Sequence, residues 1–147
     1  MGKKKTKDNF APLFHFEEIE HTADLALRVR GRDLKELLES AAMAMAHLLC
    51  EDSFVSDDPV EKLVDIRADD AEGLLVEWLS ELVFLVEVES FIFQGAEIQT
   101  VSEMRLRAKI FGKIARELKL HIKAVTYHNL KIVKADGWLE AVIVFDI

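Results

Sequence analysis

The run Leu74-Leu75-Val76-Glu77-Trp78-Leu79-Ser80-Glu81-Leu82-Val83-Phe84-Leu85-Val86 can be read as strand or as helix, and the choice sets the class of the whole molecule. Its β-branched and aromatic residues suit a strand. Its length and the placing of Glu77 and Glu81 four residues apart, on one side of a 3.6-residue period, favour a helix. Apolar side chains then surround most of that helix, so it is expected to be buried on more than one side as the central core helix. Asp69 or Asp70 stands where an N-cap is needed.

Upstream of this helix, Val64, Ile66 and Ala68 alternate with Asp65 and Arg67, which predicts a strand. Residues Glu51 to Pro59 carry Asp, Ser and Pro without periodicity and read as a loop. Before them, Asp33 and Glu36 open an amphipathic helix whose apolar face is Leu34, Leu37, Leu38, Ala41, Ala42, Met45, Leu48 and Leu49. Leu25, Leu27 and Val29 alternate with Ala26, Arg28 and Arg30, so a strand runs out of Asp24 and ends at Gly31. A first strand is expected within Leu13 to Ile19.

Downstream, Ile92 to Val101 is a strand, followed by a clean alternation of Met104, Leu106, Ala108 and Ile110 with Arg105, Arg107 and Lys109. Gly112 is expected to end it. Ile122 to Tyr127 and Leu130 to Lys134 predict one or two further strands, and Asp136-Gly137 is a hairpin turn returning along Trp138 to Phe145. Strands come in runs and do not alternate strictly with helices. The expected class is therefore α+β, a two-layer α/β sandwich whose mixed, largely antiparallel sheet carries two helices on one face.

Half of the 147 residues are hydrophobic and only two are proline, which suits one domain over residues 13–147 behind a flexible basic tail at residues 1–12. The net charge is −8, and setting aside Lys3, Lys4, Lys5 and Lys7 leaves 15 basic residues against 27 acidic ones. So acidic a body argues against broad, phosphate-driven nucleic-acid binding and suits a metal or a basic protein partner. The lone Cys50 cannot form an internal disulfide and fits a reducing compartment. No run reaches the roughly 18 uncharged apolar residues of a membrane span, and no apolar segment follows the amino-terminal lysines as in a secretory signal. The expected location is cytoplasmic, with no membrane partner.

Chemistry concentrates at two places. Glu20-His21-Thr22-Ala23-Asp24 packs acids, an imidazole and a hydroxyl between apolar runs, and Val142-Ile143-Val144-Phe145-Asp146-Ile147 is a strand pattern stopping on an acid. If folding brings Asp24 beside Asp146, with the α-carboxylate of Ile147 as a third anionic group, an oxygen-rich pocket results of the kind calcium or magnesium prefers. Taken singly, each acid is more ordinarily a cap or a solvated strand end. His21, His121 and His128 fall in apolar strand contexts without zinc spacing and read as hydrogen-bonding histidines, His21 being the exception its neighbours suggest. Cys50 and Ser80 lie in apolar helical settings, and no phosphate loop or nucleophile elbow is present. Lys123, set in an apolar and aromatic strand, either snorkels at a sheet edge or meets phosphate or carboxylate as a point charge. The stripe Arg105, Arg107 and Lys109 reads as the wet face of a strand.

Glu20 to Asp24, Arg30-Gly31-Arg32-Asp33-Leu34, Glu77-Trp78-Leu79-Ser80-Glu81-Leu82, Lys123-Ala124-Val125-Thr126-Tyr127-His128 and Val144-Phe145-Asp146-Ile147 together resemble the archease family, in the family's order and from about Phe16 to Ile147. The resemblance implies a small protein cofactor, not itself an enzyme, that activates the RtcB-type tRNA-splicing ligase. It implies faster guanylylation of the ligase's active-site histidine, multiple turnover, a broader choice of nucleotide, and indirect contact with tRNA or RNA through the ligase. It further implies a metal, calcium, on Asp24, Asp146 and Ile147, and an activating role for Lys123, for which His21 is the second candidate. A chaperone-like modulator of an RNA-modifying enzyme, such as a tRNA methyltransferase, is the alternative. A metal-dependent hydrolase would need a water-activating base that two aspartates do not supply. The basic tail lies outside these motifs, and the Gly112–His121 connection lacks the acidic loop expected of relatives.

Overall fold

The computed structural model describes residues 15–19, 24–51 and 55–147. The ambiguous run is a helix, α2 (Ala71–Glu89). Asp70 caps it, its Oδ1 accepting the Gly73 amide at 2.7 Å, while its carbonyl accepts the first helical bond from Leu74. Leu74, Leu75, Trp78, Leu79 and Leu82 are fully buried, and Trp78 donates its indole N–H to the Leu38 carbonyl at 2.9 Å. Phe93 meets that indole edge-on at 5.7 Å. The helix stops at Ser90, a left-handed cap with φ 58° whose amide turns back to the Leu85 and Val86 carbonyls.

Helix α1 (Leu34–Leu49) begins with the expected cap: Asp33 accepts the Glu36 amide at 2.9 Å, and Glu36 accepts the Arg32 amide at 2.8 Å. Its apolar face is buried as read from Leu37 onward, with Leu34 partly covered, and burial extends further, over Ser40, Ala44 and Ala46. Past its first turn only Glu39, Met43 and His47, a stripe at fourfold spacing, keep solvent contact. The small residues on its far side let a second layer of strands approach.

That second layer is the feature that patterning alone does not announce. Strands β1 (Phe16–Ile19), β2 (Leu25–Gly31), β8 (Trp138–Asp146) and β6 (Ala124–Thr126) form one sheet in the order β1-β2-β8-β6, with β7 (Val133–Ala135) also on β8. Strands β3 (Val60–Arg67), β5 (Arg105–Ile114) and β4 (Phe91–Val101) form another in the order β3-β5-β4. Every described pairing is antiparallel. The α+β class with two helices holds; α1 packs against β1, β2 and β8 of the first sheet and β4 of the second, and α2 against β3, β4, β5 and β6. One continuous core joins Leu27, Phe145, Leu38, Trp78, Phe91 and Ile110.

Gly112 does not end its strand. It lies inside β5, paired with Val60 and Phe93, where a Cβ would fall 2.3 Å from the Ile92 carbonyl oxygen and 2.6 Å from the Phe91 ring. Close approach of the neighbouring strand, not a turn, requires glycine there. Asp136 and Gly137 do form the two-residue turn between β7 and β8, both at positive φ (53° and 81°).

Candidate functional site

Strand β8 carries a neighbour on each side at its carboxyl end. Its pairing with β2 closes on Leu25 opposite Phe145, so continuing the register by one residue sets Asp24 against Asp146. On the other side Ala124 lies opposite Asp146, and the Lys123 amide donates to the Asp146 carbonyl at 2.7 Å. Phe145 is fully buried and Asp146 exposed, as strand alternation requires, which turns the acid away from the core. Lys123 and Ile147 are exposed as well, and Asp24 is half-buried.

Asp24, Asp146, Ile147 and Lys123, from three distant parts of the chain, thus lie at the same end of one sheet. Glu20 and His21 lie outside the described residues. Among the described residues no group of three or more His, Cys, Asp or Glu side chains is gathered for a metal. The residues at the β8 terminus offer carboxylate and main-chain oxygens, the donor chemistry that calcium and magnesium take.

His121 and His128 are not strand residues. Both stand exposed in the connections flanking β6, His121 Nδ1 3.5 Å from Glu87 and His128 Nε2 3.1 Å from the Asn129 amide nitrogen. Apolar neighbours suggested a strand for each, but β6 is only three residues long and its flanks face water. Between them, Tyr127 donates its hydroxyl to Glu77 on α2 at 3.2 Å. Partial desolvation, reinforced by that carboxylate, holds the Tyr127 hydroxyl above the usual phenol range, so it stays a donor. Glu72 of the same helix accepts the Ile132 amide at 3.0 Å. Helix α2 therefore fixes the segment that follows Lys123, a link that no spacing in the chain reveals.

At the opposite end of β8, Trp138 has two guanidiniums over its ring, Arg30 at 4.3 Å and Arg32 at 4.2 Å, with His15 edge-on at 4.6 Å. Arg32, Lys134, Asp136 and Trp138 line an open groove of about 380 Å³ beside it. The β2–β8 register and the β7–β8 hairpin together bring these residues to one place.

The Archease protein family (MTH1598/TM1083) matches residues 16–147, nearly all of the chain. The chain belongs to the archease family. It is 36% identical to the protein archease of Methanosarcina acetivorans over 138 residues, an alignment covering 88% of this chain and 94% of the relative. The archease of Methanosarcina barkeri is 33% identical with the same coverage. Among solved structures, the solution structure of protein 1598 of Methanobacterium thermoautotrophicum superposes with a TM-score of 0.72 at 31% identity, covering 90% of this chain and 98% of that one. The crystal structure of a Thermotoga maritima archease, described as a possible chaperone, has a TM-score of 0.66 at 24% identity over 89% of this chain and 96% of that one. That likeness supports the fold. No helix among the described residues is long and apolar enough to cross a membrane.

Proposed function

We propose that this archease family member activates an RtcB-type tRNA-splicing RNA ligase, promoting its guanylylation and multiple turnover from the carboxyl end of β8. The observation that carries the reading is the convergence of Asp24, Asp146 and Lys123 on that end, in a member of this family. Asp24, Asp146 and a main-chain oxygen of Ile147 would hold a divalent cation, calcium by preference. When bound, it supplies positive charge against the phosphates of a nucleotide or of departing pyrophosphate. Lys123 adds a point charge on the same rim, and its main chain, tied to Asp146, keeps it there. The position is open, as a site presented to a partner's active centre must be.

The test is label transfer from GTP to the ligase with and without this protein. Faster labelling and more than one ligation per ligase are expected; unchanged rates at every ratio would refute the reading. The second reading, a chaperone-like modulator of an RNA-modifying enzyme such as a tRNA methyltransferase, draws on the description of the Thermotoga maritima relative as a possible chaperone. It predicts suppressed aggregation of the client and indifference to loss of Asp146.

A further inference from the structure

The outer face of the β3-β5-β4 sheet departs from the acidity of the rest of the protein. Val64, Ile66, Leu106, Ala108 and Ile110 point into the core, so alternation puts Arg67, Arg105, Arg107 and Lys109 on the solvent side with the three acids Glu61, Asp65 and Glu97. Register sets Asp65 opposite Arg107, Arg67 opposite Arg105, and Lys109 between Leu63 and Glu97. Asp65 organises the cluster. Arg105 grips it with two parallel bonds, Nε to Oδ1 at 3.0 Å and Nη2 to Oδ2 at 2.8 Å. Arg67 and Arg107 approach the same carboxylate at 4.0 Å, too far for a hydrogen bond. One negative charge thus gathers three positive ones, and the side chains of Arg67 and Arg107 remain 70% and 50% exposed.

We propose that this face binds the backbone phosphates of RNA. Guanidiniums whose donor forks are not used up by their carboxylate match phosphate oxygens bidentately. They spread over two strands on an open surface, which fits successive phosphates of a polymer better than one enclosed anion. The adjacent Leu63, 76% exposed, offers an apolar surface for an unstacked base. The choice of RNA over an acidic polypeptide rests on the activator reading above, in which the partner's substrate is RNA. The acidic remainder of the surface then confines the contact to this face.

The experiment is a titration of labelled single-stranded RNA with the full chain between about 50 and 200 mM salt. Compared are wild type, Arg67→Ala/Arg107→Ala/Lys109→Ala, Arg67→Lys/Arg107→Lys, and Lys3, Lys4, Lys5 and Lys7 all changed to Ala. The alanine triple variant is expected to lose affinity tenfold or more at the lower salt, with the salt slope falling by about 0.7 for each phosphate contact removed. The lysine variant, which keeps the charges but loses the bidentate forks, is expected to bind between wild type and the alanine variant, with the salt slope of wild type. No binding by wild type, undiminished binding by the alanine variant, or loss confined to the tail variant would overturn the proposal. So would displacement of RNA by polyglutamate at equal concentration. Ligase labelling from GTP contains no RNA, so the alanine variant still accelerates it; failure of the activator reading shows there, and failure of this one in the titration.

Discussion

Gly31 shows how much one missing Cβ decides. A Cβ at position 31 would lie 2.3 Å from the Leu37 amide nitrogen and 2.7 Å from the Glu36 carbonyl carbon, both backbone atoms that cannot swing aside. Gly31→Ala is therefore expected to cost about 1–3 kcal/mol as overpacking, seen as a lower urea midpoint with unchanged slope; an unchanged midpoint would contradict the contact. The sequence showed Gly31 as a strand end, which it is, but Gly112 looked the same and is not. What separates them is a neighbouring strand, invisible to local pattern. Asp65 gives a second test at this scale. Its hydrogen bonds to Arg105, aided by the charges of Arg105, Arg67 and Arg107, hold its carboxyl below the ordinary value of 3.8. A depressed folded value means that its contribution to stability is present above 3.8 and is lost as pH falls through the lower folded value. Carboxyl NMR titration should place Asp65 below the ordinary range and return it there in Arg105→Ala; an ordinary value in wild type would contradict the cluster.

Helix α2 joins the two halves of the structure. Trp78 is 1% exposed, packs on Phe93 and hydrogen-bonds α1, so Trp78→Ala is expected to cost about 3–5 kcal/mol in denaturant unfolding. A loss below 1 kcal/mol would mean that the indole does not bridge the helices as described. Both helices were legible because caps and period agreed: Asp33 with Glu36, and Asp70 before an apolar run held in helical register by Glu77 and Glu81. The burial of α1 on both sides was less so, since Ala44, Ala46 and Ser40 are as compatible with a solvated face as with a tight one. Strands with alternation, β2 and β5, were readable; β6 and β7, three residues each, were readable only as a region.

For the whole molecule, antiparallel pairing does what chain order cannot. Asp24 and Asp146 stood out as acids at strand ends, and their families of neighbours suggested a site, but only the order β2-β8-β6 brings both to Lys123. The same topology separates that anionic end from the cationic face of the second sheet, a local patch that the net charge, which argues only against broad nucleic-acid binding, does not reveal. A divalent cation titration should show weaker binding by Asp146→Ala, by at least about tenfold, since even outer-shell partners of a metal are worth that much. The most direct test of the central claim remains ligase guanylylation, followed as label transfer from GTP with wild type and with Asp24→Ala, Asp146→Ala and Lys123→Ala. Acceleration by wild type, with each variant reduced about tenfold or more, is the expected result, as for loss of a group that stabilises charge in transfer. Full acceleration by all three variants would contradict a site at the end of β8.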